Sequence, residues 1–282
     1  MYTAKIQNAS GDVLVLTGKE PVYQVIDIQG LNPAKAQVNT TPLYGVDGAD
    51  FNSSKIGTKN IVLKIKINGD VETNRLALYQ YIKPKEWCRF FYANEHRNVY
   101  IDGYVETFEC GLFTKSETAQ VSIICPSPYF KDINESVVPL SNVTGAFTFP
   151  FSINDGEPIP ISDYDESTQA NVFNNSESEV GTIIKILVNE DISFVKLRNT
   201  ATGEDFTLNY PFFTGDEITI NTNTGKKSVS LLRDAVTTNI FIAVKKGSVF
   251  FQLHAGSNPF TYLTSGGGVS IQFYFSKAYR GV

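Results

Sequence analysis

The side chains able to do nucleophilic or metal chemistry are few. The cysteines are Cys88, Cys110 and Cys125, and the histidines are His96 and His254. An odd cysteine count at irregular spacing is neither a disulfide framework nor a zinc pattern. The reading is buried or idle thiols in a reducing compartment. Cys88 stands eight residues before His96, so strands would have to bring the two together for thiol catalysis. His96 falls in the polar hairpin tip Asn94-Glu95-His96-Arg97-Asn98, and His254 ends a strand beside a glycine-containing turn. A serine hydrolase would need a histidine base and a Gly-x-Ser-x-Gly elbow, and the elbow is absent.

Carboxylates are plentiful, which makes any pair of them uninformative. A glycosidase needs two acids about 5–10 Å apart across a cleft. With 29 Asp and Glu, candidate pairs arise by chance, and Glu106 and Glu109 read as surface charge. Asp163-Tyr164-Asp165-Glu166 could offer oxygen ligands to Ca²⁺, but the spaced loop of a tuned calcium site is missing. A solvated acidic connector explains that run. Gly266-Gly267-Gly268 precedes a strand and lacks the following Lys-Ser/Thr of a phosphate loop. The sequence therefore nominates no catalytic, cofactor-binding or metal-binding residue.

Composition narrows the class further. The chain has 282 residues, enough for about two domains of roughly 100–200 residues each or one large β unit. Mean hydropathy is -0.11, and no apolar run approaches the ~20 residues of a membrane span. The opening Met1-Tyr2-Thr3-Ala4-Lys5 lacks the basic-then-apolar pattern of a signal peptide. The expectation is a soluble protein made in a cytoplasm. Residues 1–134 hold 14 basic and 14 acidic side chains, while residues 135–282 hold 10 and 15, so the net charge of -5 sits in the second part. Nucleic-acid binders rely on a basic field, and neither part has one.

The elements that would carry these side chains are strands. Phe and Tyr total 34, against one Met and one Trp. Short aromatic and β-branched runs alternate with Asn, Gly, Asp and Thr. In Ile61–Ile67, Leu63, Ile65 and Ile67 face one way and Lys64 and Lys66 the other, which predicts a half-buried antiparallel strand. Asp102-Gly103 between Asn98–Ile101 and Tyr104–Glu106 fits a tight hairpin or one long bulged strand. Ala119–Cys125 is a further strand, stopped by Pro126 and Pro128.

One segment is helical. Val71, Leu78, Tyr79 and Ile82 recur at helical spacing, Asp70 is an N-cap, Glu72 suits the first turn and Pro84 ends the run. Residues 31–60 show little periodicity and read as a long loop, functional or held by another chain, or as two short strands. A domain junction is expected near 130–145, where Pro126-Ser127-Pro128 precedes the charge shift. Beyond it, strands are expected at 182–189, 194–199, 217–221, 228–232, 240–245, 249–253 and 269–275. Turns at Thr202-Gly203, Asn223-Thr224-Gly225 and Lys246-Gly247 link them, which argues for a β-sandwich. The clusters Phe147–Phe151 and Tyr210–Phe213 could be core, a protein interface or a sugar-stacking platform.

Several motifs, taken in order, resemble the distal tail proteins of long-tailed phages and prophages of Gram-positive bacteria. Cys125-Pro126-Ser127-Pro128-Tyr129-Phe130 resembles the close of that family's N-terminal domain. Ahead of it come a Tyr44–Ala49 loop, a strand, a helix with Arg75-Leu76, the aromatic strand Arg89–Tyr92 and Tyr100–Val105. Gly215–Asn221 with Thr224-Gly225 is similar to a strand and turn of the family's galectin-like sandwich. Gly256–Phe260 is a partial match to a Pro-Gly-x-Asn turn, with Ala255 in place of the proline, and Tyr279-Arg280-Gly281-Val282 resembles the terminal Tyr-x-Gly-Val.

The resemblance implies a mainly β protein. Residues 1–135 would be a ring-forming β-sandwich or split barrel with one helix, and residues 136–282 a galectin-like β-sandwich. It implies a non-enzymatic baseplate hub in the virion, a hexameric ring between the tail tube and the tail-tip protein that carries receptor-binding proteins for host adsorption. Six-fold closure needs a head-to-tail contact, and residues 31–60 could be the arm that crosses to a neighbour. The alternative is a tail-associated module that binds cell-wall carbohydrate directly; no room is seen for the complete inserted sugar-binding domain of some relatives. Neither reading invokes a cofactor, nucleic acid or a membrane.

Overall fold

A computed structural model describes residues 2–17, 22–111, 117–140, 142–145, 162–165, 169–266 and 268–282. The chain divides into two units. One comprises Met1–Ile133 with Ala278–Val282, the other Asn134–Lys277. Both are mainly β.

The first unit contains β1 (Thr3–Gln7), β2 (Val13–Val15), β3 (Tyr23–Gln29), β4 (Ala36–Pro42), β5 (Ala49–Ile56), β6 (Lys59–Ile67), α1 (Val71–Tyr81), β7 (Trp87–Ala93), β8 (Asn98–Cys110), β9 (Thr118–Cys125) and the start of β10 (Phe130–Pro139). Strand β8 organises it. Its first half pairs with β7, which continues to β1 and β2; its second half pairs with β9, which continues to β6 and β3. The Asp102-Gly103 ambiguity resolves as one long strand, bulged between Val105 and Thr107. Gly103 is required there, because a Cβ would lie 2.6 Å from Ile123 Cγ2 and 2.9 Å from the Ile124 carbonyl.

The alternation in β6 is as expected: Ile61, Leu63, Ile65 and Ile67 are buried among Phe90, Ile101, Val121 and Ile123. Burying each such side chain contributes about 1.5–3 kcal/mol. Helix α1 also forms where the spacing predicts it. The Asp70 side chain accepts hydrogen bonds from the Thr73 amide at 3.4 Å and the Thr73 hydroxyl at 2.8 Å, and the helix buries Leu78 against the core.

The second unit contains the rest of β10, β11 (Asn142–Gly145), β12 (Ser162–Asp165), β13 (Gln169–Asn174), β14 (Val180–Gly181), β15 (Ile183–Val188), β16 (Ile192–Asn199), β17 (Asp205–Phe212), β18 (Glu217–Asn221), β19 (Ser228–Arg233), β20 (Val236–Asn239), β21 (Gln252–Leu253), β22 (Gly256–Thr264) and β23 (Val269–Tyr279), whose last two residues belong to the first unit. One sheet runs β23-β15-β18-β19-β20 and a second runs β13-β22-β16-β17. Phe260 joins their inner faces, with its ring 5.1 Å from Phe251 and 4.7 Å from Phe273.

The strand expected at 249–253 shrinks to β21 at Gln252–Leu253, and two further expectations are corrected. The expected strand at 240–245 is instead a single 3₁₀ turn, Phe241–Ala243, with Ile242 pointing outward. The expected turn at Gly256–Phe260 begins a strand that pairs with both β13 and β16. Pro259 is tolerated because the β16 register begins only at Phe260.

Candidate assembly interface

The segment 31–60 is two strands. β4 and β5 form an antiparallel hairpin, with a bulge between Asn39 and Thr40, and every residue of both strands is exposed. Neither strand pairs with any other described strand. Asn39 Nδ2 donates to Ser53 Oγ at 3.0 Å, and Asn52 Nδ2 to Thr41 Oγ1 at 2.7 Å, so polar cross-strand bonds hold the ribbon. Yet Val38, Leu43, Tyr44, Val46, Phe51 and Ile56 are all exposed on it. A two-stranded ribbon is marginal alone in water, and exposed apolar side chains in this number mark an interaction surface.

Its root is held firmly. Gly30 has φ +90°, and a Cβ there would sit 2.1 Å from the Asn60 carbonyl oxygen. Lys59 is buried beneath it, donating from Nζ to the Asn32 carbonyl at 2.9 Å and the Arg280 carbonyl at 2.8 Å. Its ammonium also lies 4.3 Å from the Phe130 ring centroid. Burial pulls the Lys59 pKa down to about 8, partly offset by the Cys125 charge. The Val282 amide donates to the Leu31 carbonyl at 3.1 Å. Residues 280–282 thus clasp the residues from which the arm departs. Nothing in the local sequence signals this clasp, because its two sides are joined only by the fold.

The other chemistry-bearing residues are dispersed. Cys88 pairs in register with Gly103 inside the sheet, while His96 is exposed at the β7–β8 turn. Five strand residues separate Cys88 from the end of β7, about 17 Å at strand rise. Burial pushes the Cys88 and Cys125 thiols up to about 12, the wrong direction for a nucleophile. Glu106 accepts from Ser122 Oγ at 2.8 Å on the strand surface, and Glu109 is exposed. His254 Nδ1 lies 2.7 Å from Glu179 Oε1, both exposed.

Among the described residues no group of three His, Cys, Asp or Glu could hold a metal ion. Asp163–Asp165 fall in β12, paired with β11, while Glu166 and Phe147–Phe151 lie outside the described residues. Phe212 is core, 1% exposed, whereas Phe213 is on the surface. Phe213 stands beside a shallow cavity of about 230 Å³ lined also by Asp216, Arg233 and Asp234, and the Arg233 guanidinium covers its ring at 4.5 Å.

The chain is thus a two-unit β protein with an exposed, apolar-tipped ribbon. Residues 175–279 match the family of siphovirus-type tail components, C-terminal domain. The Dit protein of phage SPP1, described as a paradigm of the hub adsorption apparatus in phages infecting Gram-positive bacteria, has the same fold. Its TM-score is 0.73 at 13% identity, over 99% of each chain. A chain of the phage P2 baseplate in its activated conformation with Ca gives 0.58 at 14% identity over 100% of both, and one from the Sr-activated baseplate gives 0.54 at 13% over 97% and 98%. No curated protein matches. The resemblance to distal tail proteins read from the motifs therefore holds, and the chain is similar to phage distal tail and baseplate components.

Proposed function

We propose that this chain is a structural hub of a phage tail tip. It is made in the bacterial host cytoplasm and ends in the virion. The first unit closes with five copies of itself into a ring, and each β4–β5 hairpin crosses to a neighbour. The ring joins the tail tube to the tail-tip protein, and the second unit carries receptor-binding proteins. The chain performs no catalysis. The observation that carries this reading is the hairpin, with all its strand residues exposed and Val38, Tyr44, Val46 and Phe51 uncovered. A head-to-tail contact passes from copy to copy and closes into a ring where its rotation allows, rather than stopping at a pair.

Negative-stain microscopy of the purified chain at high concentration tests it. The expected particle is a six-fold ring of about 187 kDa, from a 31.2 kDa chain. Single particles at every concentration, together with glycan binding by the chain, would favour the carbohydrate-binding alternative.

A further inference from the structure

The second unit carries a surface that its own chain leaves open. β20 (Val236–Asn239) ends its sheet, and among the described residues it pairs only with β19. All four of its residues are exposed. Edge strands are ordinarily blunted by lysine, proline or a bulge. β20 reads Val-Thr-Thr-Asn, has none of these, and is rich in strand formers. Its free edge is a template for one more strand.

Beyond Asn239 the chain turns through Phe241 and Ile242. The 3₁₀ turn closes with the Ala243 amide on the Ile240 carbonyl at 2.8 Å, which fixes Ile242 outward at 94% exposure. Phe241 stacks on Phe250 at 5.7 Å, and Phe250 meets the buried Phe206 edge-on at 4.9 Å. The apolar tip is therefore anchored to the core.

Basic side chains flank this turn in sequence, and Lys227 does so in space. Lys227 Nζ lies 5.4 Å from the Phe250 ring, with Lys226 beside it in sequence, and Lys245 and Lys246 follow the turn. All four are exposed and form no ion pair among the described residues. By contrast, Lys185, Lys196, Arg198 and Arg233 are paired with Glu217, Asp205 and Asp216. Four exposed cations without an ion-pair partner among the described residues, in a unit whose sequence is otherwise acidic, offer charge complementary to an acidic partner. At the opposite end of β20 stands Asp234.

We propose that β20 and the Phe241–Ile242 turn dock an extended, acidic segment of another tail-tip protein. The segment adds a strand along β20, sets an apolar side chain against Ile242, and places carboxylates among Lys226, Lys227, Lys245 and Lys246. An apolar centre with a charged rim is the anatomy of a protein interface. A purely anionic polymer would have no use for the aliphatic tip. The inference rests on the tail-hub reading and assigns the place where a partner attaches.

The test uses intact tails. Lysine modification rates are compared between the free chain and purified tail particles, and a zero-length carbodiimide links lysines to the carboxylates they touch. Rates at Lys226, Lys227, Lys245 and Lys246 should fall at least tenfold in tails, with links to Asp or Glu of a different protein. Ile242→Asp combined with Lys227→Glu should leave the free chain's melting temperature unchanged and yield tails depleted of that partner. Links only to carboxylates of this same sequence would overturn the proposal, as would unchanged rates in tails. Protection that appears only on adding isolated cell walls would assign the surface to an anionic glycopolymer instead. Tails that lack this chain altogether would refute the hub reading; tails that contain it with reactive lysines would refute only the docking surface.

Discussion

The buried ammonium of Lys59 donates to the Arg280 carbonyl at 2.8 Å, across 221 residues of chain. The same nitrogen donates to Asn32 at the base of the arm. One side chain thus ties the arm's root to the segment that returns to the first unit. Because burial lowers its pKa to about 8, the folded protein binds fewer protons than the unfolded chain above that value. Its contribution should therefore rise between pH 8 and about 10, the ordinary range for lysine. Melting temperatures of wild type and Lys59→Met, compared at pH 7 and 9.5, should diverge in favour of wild type at the higher pH. An unchanged or opposite difference contradicts the assignment.

Gly103 and Gly30 are close-approach positions of different kinds. A Cβ at Gly103 meets Ile123 Cγ2 at 2.6 Å, and one at Gly30 meets the Asn60 carbonyl oxygen at 2.1 Å. Gly103→Ala should cost about 1–3 kcal/mol, as overpacking does. Gly30→Ala adds a left-handed backbone penalty and should cost at least as much. Denaturant midpoints measure both; a neutral Gly30→Ala would mean the root of the arm is looser than described.

The turn between β19 and β20 has Asp234 at φ +49° and Ala235 at φ +63°. Asp tolerates this region, while Ala is strained in it. Ala235→Gly should stabilise the protein by roughly 0.5–1 kcal/mol. Thermal unfolding should show a rise of about 2 °C; a fall would mean that the entropy of glycine outweighs the relief of strain.

Asp216 is almost wholly covered, and Arg233 grips it through Nε at 2.8 Å and Nη2 at 2.6 Å. That hydrogen-bonded guanidinium holds the carboxyl below the ordinary aspartate value. The stabilisation is complete above the unfolded value near 4 and is lost as pH falls through the lower folded value. Arg233→Met should move the acid-unfolding midpoint to higher pH. Coincident acid transitions would show that the pair contributes nothing.

What could be read in advance follows from where burial leaves a pattern. β6 has one buried face, so its alternation was visible; α1 has a capping Asp70 and a closing Pro84. β4 and β5 bury neither face, so no period distinguishes them from a loop, and their pairing shows only in three dimensions. β22 was hidden by Gly256 and Pro259. The apolar run at 240–245 has strand composition, but composition marks a strand only where apolar means buried, and Ile242 is 94% exposed. The clasp of Lys59 on Arg280 could not be read locally at all.

The most direct test of the account is a photo-crosslinker placed at Tyr44, which is fully exposed at the tip of the arm. Irradiating the assembled chain should give a ladder of covalent oligomers up to six. The linked peptides should map to the first unit of a different copy. Rings that form without any link between copies, or links confined to one chain, would contradict an arm that crosses to its neighbour.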